Sequence, residues 1–259
     1  MIKVNIEYCG ICGSDLPKFL MKRPRPDILG HEFCGYDVES GEFGVIIPKL
    51  TDGKFIGSNV NGGFQKFIEI PDENWFPTPK LARNRQVAAM LEPMSNCVHC
   101  LSLLNIDKKT KVAIIGDGFI GNMLATLIPE NNVKVFGRDS LPQENYYDIA
   151  IDCCGKPESM NTCFKCLKPR GTVMMVGIPY AHSFNGNFDY DKAMRKELVI
   201  LNSWQSNYST DWTMSYDILA ANPNKYLKLI DKVFELEDLN KAFNYKLSNH
   251  CNKIMVKCN

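Results

Sequence analysis

The stretch Lys111–Asp139, KVAIIGDGFIGNMLATLIPENNVKVFGRD, limits the possible folds more than any other part of the chain. A largely β-branched run, Val112–Ile115, leads into Gly116, Gly118 and Gly121 in G-x-G-x-x-G spacing. Apolar residues at helical intervals follow (Met123, Leu124, Leu127, Ile128), and then a second strand-like run, Val133–Phe136. Strand, glycine turn, helix and strand in this order form the fingerprint of a dinucleotide-binding βαβ unit. The first glycine permits the tight turn, the second lets backbone approach a pyrophosphate, and the third brings helix and strand close. The helix N-terminus favours the phosphate charge. Glycines at this spacing can also mark a plain structural turn. Their place between the right elements makes Gly116, Asp117, Gly118, Phe119, Ile120 and Gly121 candidate nucleotide contacts.

At 259 residues the chain can hold one large or two small domains, each with its own core. Its 45% apolar and 23% charged content is that of a soluble globular protein. A net charge of +1 gives no basic footprint for nucleic acid. The apolar runs are strand-sized, and MIKVNIEYCG carries no charged-then-apolar leader. A cytoplasmic protein without nucleic-acid or membrane partners is therefore expected. Eleven cysteines, odd in number and dispersed, argue against a disulfide framework. Three C-x-x-C pairs occur: Cys9/Cys12, Cys97/Cys100 and Cys163/Cys166. Two such pairs could build a four-thiolate metal site, but the last two fall on helix-like segments, where cysteines mostly serve as core.

Residues Ile2–Tyr8 alternate apolar and polar, as in a half-buried strand. CGICGSDLPKF (Cys9–Phe19) and PDILGHEFCGYDVES (Pro26–Ser40) then supply Cys12, His31 and Glu32 on turn-rich segments beside strands. A catalytic zinc takes three protein ligands and keeps one position open. A stray thiol, a satisfied histidine and a solvated glutamate are an equally available reading of these three residues.

CGICGSD, GHE, GGF (Gly62–Phe64), LEP (Leu91–Pro93) and GDGFIG are followed by YYDIAIDCCGKPES (Tyr146–Ser159) and LKPRGTVMMVGIP (Leu167–Pro179). In this order, from about Val4 to the C-terminus, they resemble the medium-chain, zinc-dependent alcohol and polyol dehydrogenases. Gly13–Pro17, Phe55–Ser58 and NSWQSNYS (Asn202–Ser209) are similar to the galactitol-1-phosphate dehydrogenase group of polyol-phosphate enzymes. The resemblance implies an α/β fold with a GroES-like β-rich catalytic domain over residues 1–103 and a truncated doubly wound (Rossmann) nucleotide-binding domain over 104–224. Residues 225–259 would return to the catalytic domain with a helix around Leu236–Ala242 and a strand, Lys253–Lys257.

The same resemblance implies one catalytic zinc on Cys12 and His31, with Glu32 or Glu92 completing the set. Zinc there acts as a Lewis acid on a substrate hydroxyl or ketone. Ser14 matches the proton-relay hydroxyl and Asp15 the carboxylate that orients His31, so Ser14, Asp15 and Glu32 are the catalytic candidates. Pro17 stands where relatives often carry a histidine, which leaves a proton from Ser14 to cofactor ribose or water. Val176, Gly177 and Ile178 match the strand end at the nicotinamide. A homodimer through the edge at Leu198–Ser203 is implied. The expected activity is hydride transfer between NAD(P)(H) and a polyol, polyol phosphate or ketose phosphate. A relative that binds nucleotide and zinc without turnover is the alternative. A cysteine-rich metal or redox protein, a third class, would need Cys97 and Cys100 for its metal.

Three departures from the family pattern matter. A short cysteine-free link between Pro48 and Gly62 replaces the lobe that holds a structural zinc, so none is expected. The N-terminus is shortened. Between Phe136 and Tyr147 only GRDSLPQENY remains, and a parallel crossover takes a dozen or more residues, which predicts a truncated sheet and a remodelled adenosine pocket. This segment also bears on the cofactor. If the strand ends at Gly137, the acid that binds the ribose 2′-hydroxyl is missing and Arg138 faces a phosphate; if it runs two residues further, Asp139 takes the ribose. Gly137 followed by Arg138 favours NADP(H) over NAD(H). Lys18, Arg23 and Arg25 are phosphate-anchor candidates by proximity alone, and a solvated loop explains them as well. His99, His182 and His250 carry no ligand motif.

Overall fold

The structure, a computed structural model, describes residues 1–22, 25–179 and 187–259, so Arg23 and His182 lie outside it. The chain divides into two compact units, Met1–Ser95 with Asn207–Asn259, and Asn96–Ser206. The first begins with β1 (Ile2–Gly10), α1 (Asp15–Phe19), β2 (Glu32–Asp37), β3 (Phe43–Ile46), β4 (Phe67–Ile70), β5 (Trp75–Pro77) and α2 (Arg85–Ala88). Helix α3 (Leu91–Ser102) carries the chain into the second unit. There β6 (Val112–Ile115), α4 (Phe119–Ala125), β7 (Val133–Phe136), β8 (Tyr147–Asp152), α5 (Pro157–Cys166), β9 (Leu167–Met175), α6 (Tyr190–Arg195) and β10 (Val199–Asn202) follow in turn. The chain then returns to the first unit through α7 (Asp211–Ala221), α8 (Pro223–Leu227), β11 (Ile230–Glu235), α9 (Leu239–Ser248) and β12 (Lys253–Lys257).

These limits differ from boundaries at 103/104 and 224/225. At the second limit the reason is Trp212 of α7, which is fully buried and packs at 5.6 Å against Phe76 and 5.8 Å against Tyr208, both in the first unit. Burying one such ring contributes about 2 kcal/mol, enough to fix to which core α7 belongs. The C-terminal helix is also longer than its apolar pattern suggested. It opens as a 3-10 turn at Leu236–Asp238 and continues as α9 to Ser248.

The first unit is built on a seven-stranded sheet in the order β11-β12-β1-β2-β3-β5, with β4 also on β1. The alternation in β1 buries Val4 and Ile6 completely. Strand β12, from the chain's end, pairs antiparallel with Tyr8–Gly10, and β2 flanks β1 on its other side with Glu32 opposite Gly10. Phe243 of α9 stacks on Phe19 of α1 at 4.3 Å and meets Phe64 edge-on at 5.5 Å. That contact clamps the short helix carrying Asp15, whose five residues could not hold a helix alone.

In the second unit all five strands are parallel, in the order β10-β9-β8-β6-β7. Among the described residues this is a doubly wound sheet one strand short of its full six. Helix α5 covers one face, burying Met160, Cys163 and Phe164 with Ala113, Ala150 and Val173. Strand order reverses between β6 and β8, the place where such sheets bind ligands.

The sheet is truncated, but the stated reason needs correcting. Strands β7 and β8 lie on either side of β6 and both run parallel to it, so the helix-free link 137–146 does make a parallel crossover. The link must travel about 10 Å sideways, across two strand spacings, and about 13 Å back along a four-residue strand. A chain of that length reaches about 33 Å. The dozen-residue rule reflects the helix that usually covers the sheet face, not the span itself. Among the described residues no helix is long and apolar enough to cross a membrane.

Candidate active site

Three donors meet in the first unit. Gly30, at φ +100°, lets the chain turn sharply into β2, so that His31 and Glu32 stand together at the strand's start. Cys12 comes from the turn between β1 and α1. Ligand atoms of Cys12, His31 and Glu32 all lie within 4.8 Å of one another. Asp15, wholly buried, underpins them: its Oδ2 accepts from the Cys12 N–H at 3.0 Å, and its Oδ1 lies 3.4 Å from His31 Nδ1. Ser14 Oγ donates to Cys12 Sγ at 3.2 Å. Glu92, half-buried at the start of α3, stands outside this trio.

The electrostatics of this pocket fit a cation. Burial pulls the His31 pKa down, yet Asp15 and Cys12 outweigh burial and hold it well above its usual value. The pocket therefore draws in positive charge, and sulfur, nitrogen and oxygen donors together are a set that zinc accepts. His31 Nδ1 and Asp15 Oδ1 are both buried and face each other just beyond a good hydrogen bond. That is the placement of a carboxylate that fixes the ring of a ligating histidine.

Sequence reasoning missed Lys253, at the opening of β12. It is 2% exposed, and its Nζ donates to Glu32 Oε2 at 2.5 Å and to the Ile11 carbonyl at 3.3 Å. Burial alone would lower its pKa, but Glu32 first, then Cys12 and Glu92, raise it instead. Gly10 leaves room for the pair, since a Cβ there would fall on the Glu32 carboxylate and 3.4 Å from Lys253 Cδ. The one available signal was a lysine leading the apolar run Ile254–Val256.

The second unit carries the glycine loop. Gly116 adopts φ +117°, and a Cβ on Gly121 would collide with the Gly116 carbonyl. A Cβ on Gly118 would meet nothing within 4 Å, so this backbone faces open space that an approaching phosphate can fill. Phe119 and Gly121 are buried in α4, with Ile120 half-buried between them. At the end of β9, the Val176 and Gly177 N–H groups donate to the Asp152 carbonyl at 2.9 and 2.8 Å, and Ile178 is exposed. Strand β7 ends at Phe136, so Gly137 is the first residue beyond it and Arg138 and Asp139 lie exposed in a turn. The carboxylate of Asp117 occupies the space a Gly137 side chain would take.

Other candidates have local partners. Lys18 Nζ donates to Ser58 Oγ at 2.6 Å, and the Arg25 guanidinium donates to the carbonyls of Pro26 and Asp27 in its own loop. Within SWQSNYS, Asn207 Oδ1 accepts from Ser209 and Thr210 N–H and shapes the entry to α7. Cys97, Cys100, Cys163 and Cys166 are buried and form no disulfide, and burial pushes the Cys100 and Cys166 thiols up to about 12, as for core residues. His99 and His250 take no place in the donor trio.

Comparison with known proteins finds similar chains. The sequence profile described as "Zinc-binding dehydrogenase" matches residues 138–221. The chain is 24% identical over 302 aligned positions to a ribulose-5-phosphate reductase of Streptococcus pneumoniae, covering 93% of this chain and 86% of that protein. It is also 24% identical to the galactitol 1-phosphate 5-dehydrogenase of Escherichia coli, over 82% of this chain and 77% of the relative. Among solved structures, a Sinorhizobium meliloti protein described as a zinc-binding dehydrogenase and bound to NADP superposes with a TM-score of 0.85. It has 21% identity and covers 99% of this chain and 91% of that one.

Proposed function

We propose that the chain is a zinc-dependent dehydrogenase of the medium-chain kind, like the relatives it resembles, and that it moves hydride between NAD(P)(H) and a polyol phosphate or the matching ketose phosphate. The observation that carries this reading is the convergence of Cys12, His31 and Glu32 over a buried Asp15. When bound, zinc supplies Lewis acidity to the substrate oxygen and the nicotinamide exchanges the hydride. Cys12, His31 and Glu32 would hold a single metal ion, and Asp15 orients His31 through Nδ1. Lys253 holds the Glu32 carboxylate and balances its charge. Ser14, within hydrogen-bond reach of Cys12 Sγ, is the hydroxyl placed to pass on the substrate proton. Pro17 cannot continue that relay, so the proton leaves Ser14 for water or the ribose. Gly116–Gly121 and Val176–Ile178 hold the nucleotide.

Phosphorylated substrates are supported by the names of both sequence relatives. A homodimer through Leu198–Ser203 is supported by β10, an edge strand with Val199 and Ile200 exposed. Two features pull the cofactor choice in opposite directions: Gly137 with Arg138 toward a 2′-phosphate, and Asp117 toward a 2′-hydroxyl. Elemental analysis together with NADH and NADPH oxidation on ribulose 5-phosphate and other ketose phosphates tests the reading. About one zinc per chain and ketose-dependent oxidation are expected. Zinc with no turnover would mark a relative that only binds, and absence of zinc would remove the mechanism.

A further inference from the structure

Dinucleotide folds ordinarily meet the adenosine ribose with an acidic side chain at the end of the second strand, about 20 residues past the glycine loop. Here that strand is β7, and the residue just past it is Gly137, which has no side chain to offer. The space is nevertheless filled by an acid. A Cβ built on Gly137 would fall on the Asp117 carboxylate, with Cγ 2.5 Å and Oδ1 3.1 Å from that point. Asp117 belongs to the glycine loop itself, and Asn122 Nδ2 holds its carbonyl at 2.7 Å. Loop and strand end are tied together by the Gly116 N–H, which donates to the Phe136 carbonyl at 2.8 Å. The Gly137 N–H is held in turn by Ser140 Oγ at 3.0 Å.

We infer that Asp117 replaces the missing strand-end acid, binds the ribose 2′-hydroxyl from the loop side, and makes this site select NAD(H) over NADP(H). The inference rests on the nucleotide-binding reading above. It explains why position 137 is glycine, since any side chain there would displace the carboxylate. Arg138 is the opposing charge, and it loses on placement. It is exposed in the turn, where water screens it. The Asp117 carboxylate is half-buried against the strand end, so a 2′-phosphate would meet like charge at short range.

The test is a fluorescence titration of NADH and NADPH against wild type, Asp117→Asn, Asp117→Ala and Arg138→Ala, read as dissociation constants without turnover. Wild type should bind NADH more tightly than NADPH by about 10-fold or more, and Asp117→Ala should shift that ratio about 10- to 100-fold toward NADPH. Asp117→Asn, which keeps the shape, should shift it in the same direction, and Arg138→Ala should move it far less. Wild type preferring NADPH, or a ratio unchanged in both Asp117 variants, overturns the inference and leaves nucleotide binding intact. Binding of neither nucleotide to wild type overturns the dehydrogenase reading and the inference with it.

Discussion

Replacing Lys253 with methionine tests the charge balance at the proposed metal centre most directly. Lys253 and Glu32 are 2% and 1% exposed and meet at 2.5 Å, so neither charge is served by bulk water. Methionine keeps most of the length and apolar stem but removes the ammonium, leaving the Glu32 carboxylate buried beside Cys12 without that counter-charge. Breaking a buried pair from one side costs about 3–5 kcal/mol. In a unit of this size, 1 kcal/mol moves the melting temperature by about 3 °C, so the metal-free variant should melt roughly 10–15 °C lower. A divalent ion beside Glu32 supplies the missing positive charge. The zinc-loaded variant should then lose only the packing difference, about 1 kcal/mol, or a few degrees. Calorimetric melts after chelation and after reloading read both values, and Lys253→Arg, which keeps the charge, is the control. Equal losses with and without zinc would show that the Glu32 carboxylate does not face the metal. No loss in either form would refute the argument that the pair balances a buried charge.

Two further outcomes follow from other sites. Asp152 Oδ1 accepts from the Cys154 and Gly155 N–H groups, while Oδ2 is buried without a hydrogen-bond partner. Burial, against those hydrogen bonds, raises its pKa, so the native state binds this proton more tightly than the unfolded chain. Its contribution is favourable below the unfolded carboxyl range near pH ~4 and is lost as pH rises through the raised native value. Asp152→Asn should therefore raise stability at neutral pH by about 1 kcal/mol and flatten that pH dependence in urea melts; a destabilised variant would contradict the reading. For the metal, Cys12→Ser should abolish stoichiometric zinc, whereas Cys97→Ser with Cys100→Ser should retain it. Loss of zinc in the double variant would revive the thiolate-cluster reading.

What the sequence disclosed divides along the distance over which each feature is encoded. The glycine loop, its flanking strands and the Cys12, His31, Glu32 donors are written in short segments, where turn residues and periodicity act within a few positions. Lys253 is different, since its partner is 221 residues away and the two meet only because β12 returns to β1. Trp212 likewise lies in a segment whose pattern says helix but not which core it enters. A length rule for helix-bearing links rules out the crossover from β7 to β8, while the chain needs only reach.

Asp117 joins the two cases. Its place in the fingerprint was plain, but a residue at that position of the loop has no fixed role in the motif. Its meaning depends on Gly137, and the contact between them exists only once β7 has paired with β6. Reading Gly137 and Arg138 along the chain points to NADP(H), because sequence order shows a missing acid and a neighbouring base. Reading the same residues in space points to NAD(H), because the acid is supplied from another element and the base is left in water. The two readings differ in one measurable ratio of dissociation constants, and the inferred preference for NAD(H) rests on weighing a short-range charge in a half-buried site against a solvated charge one residue further along.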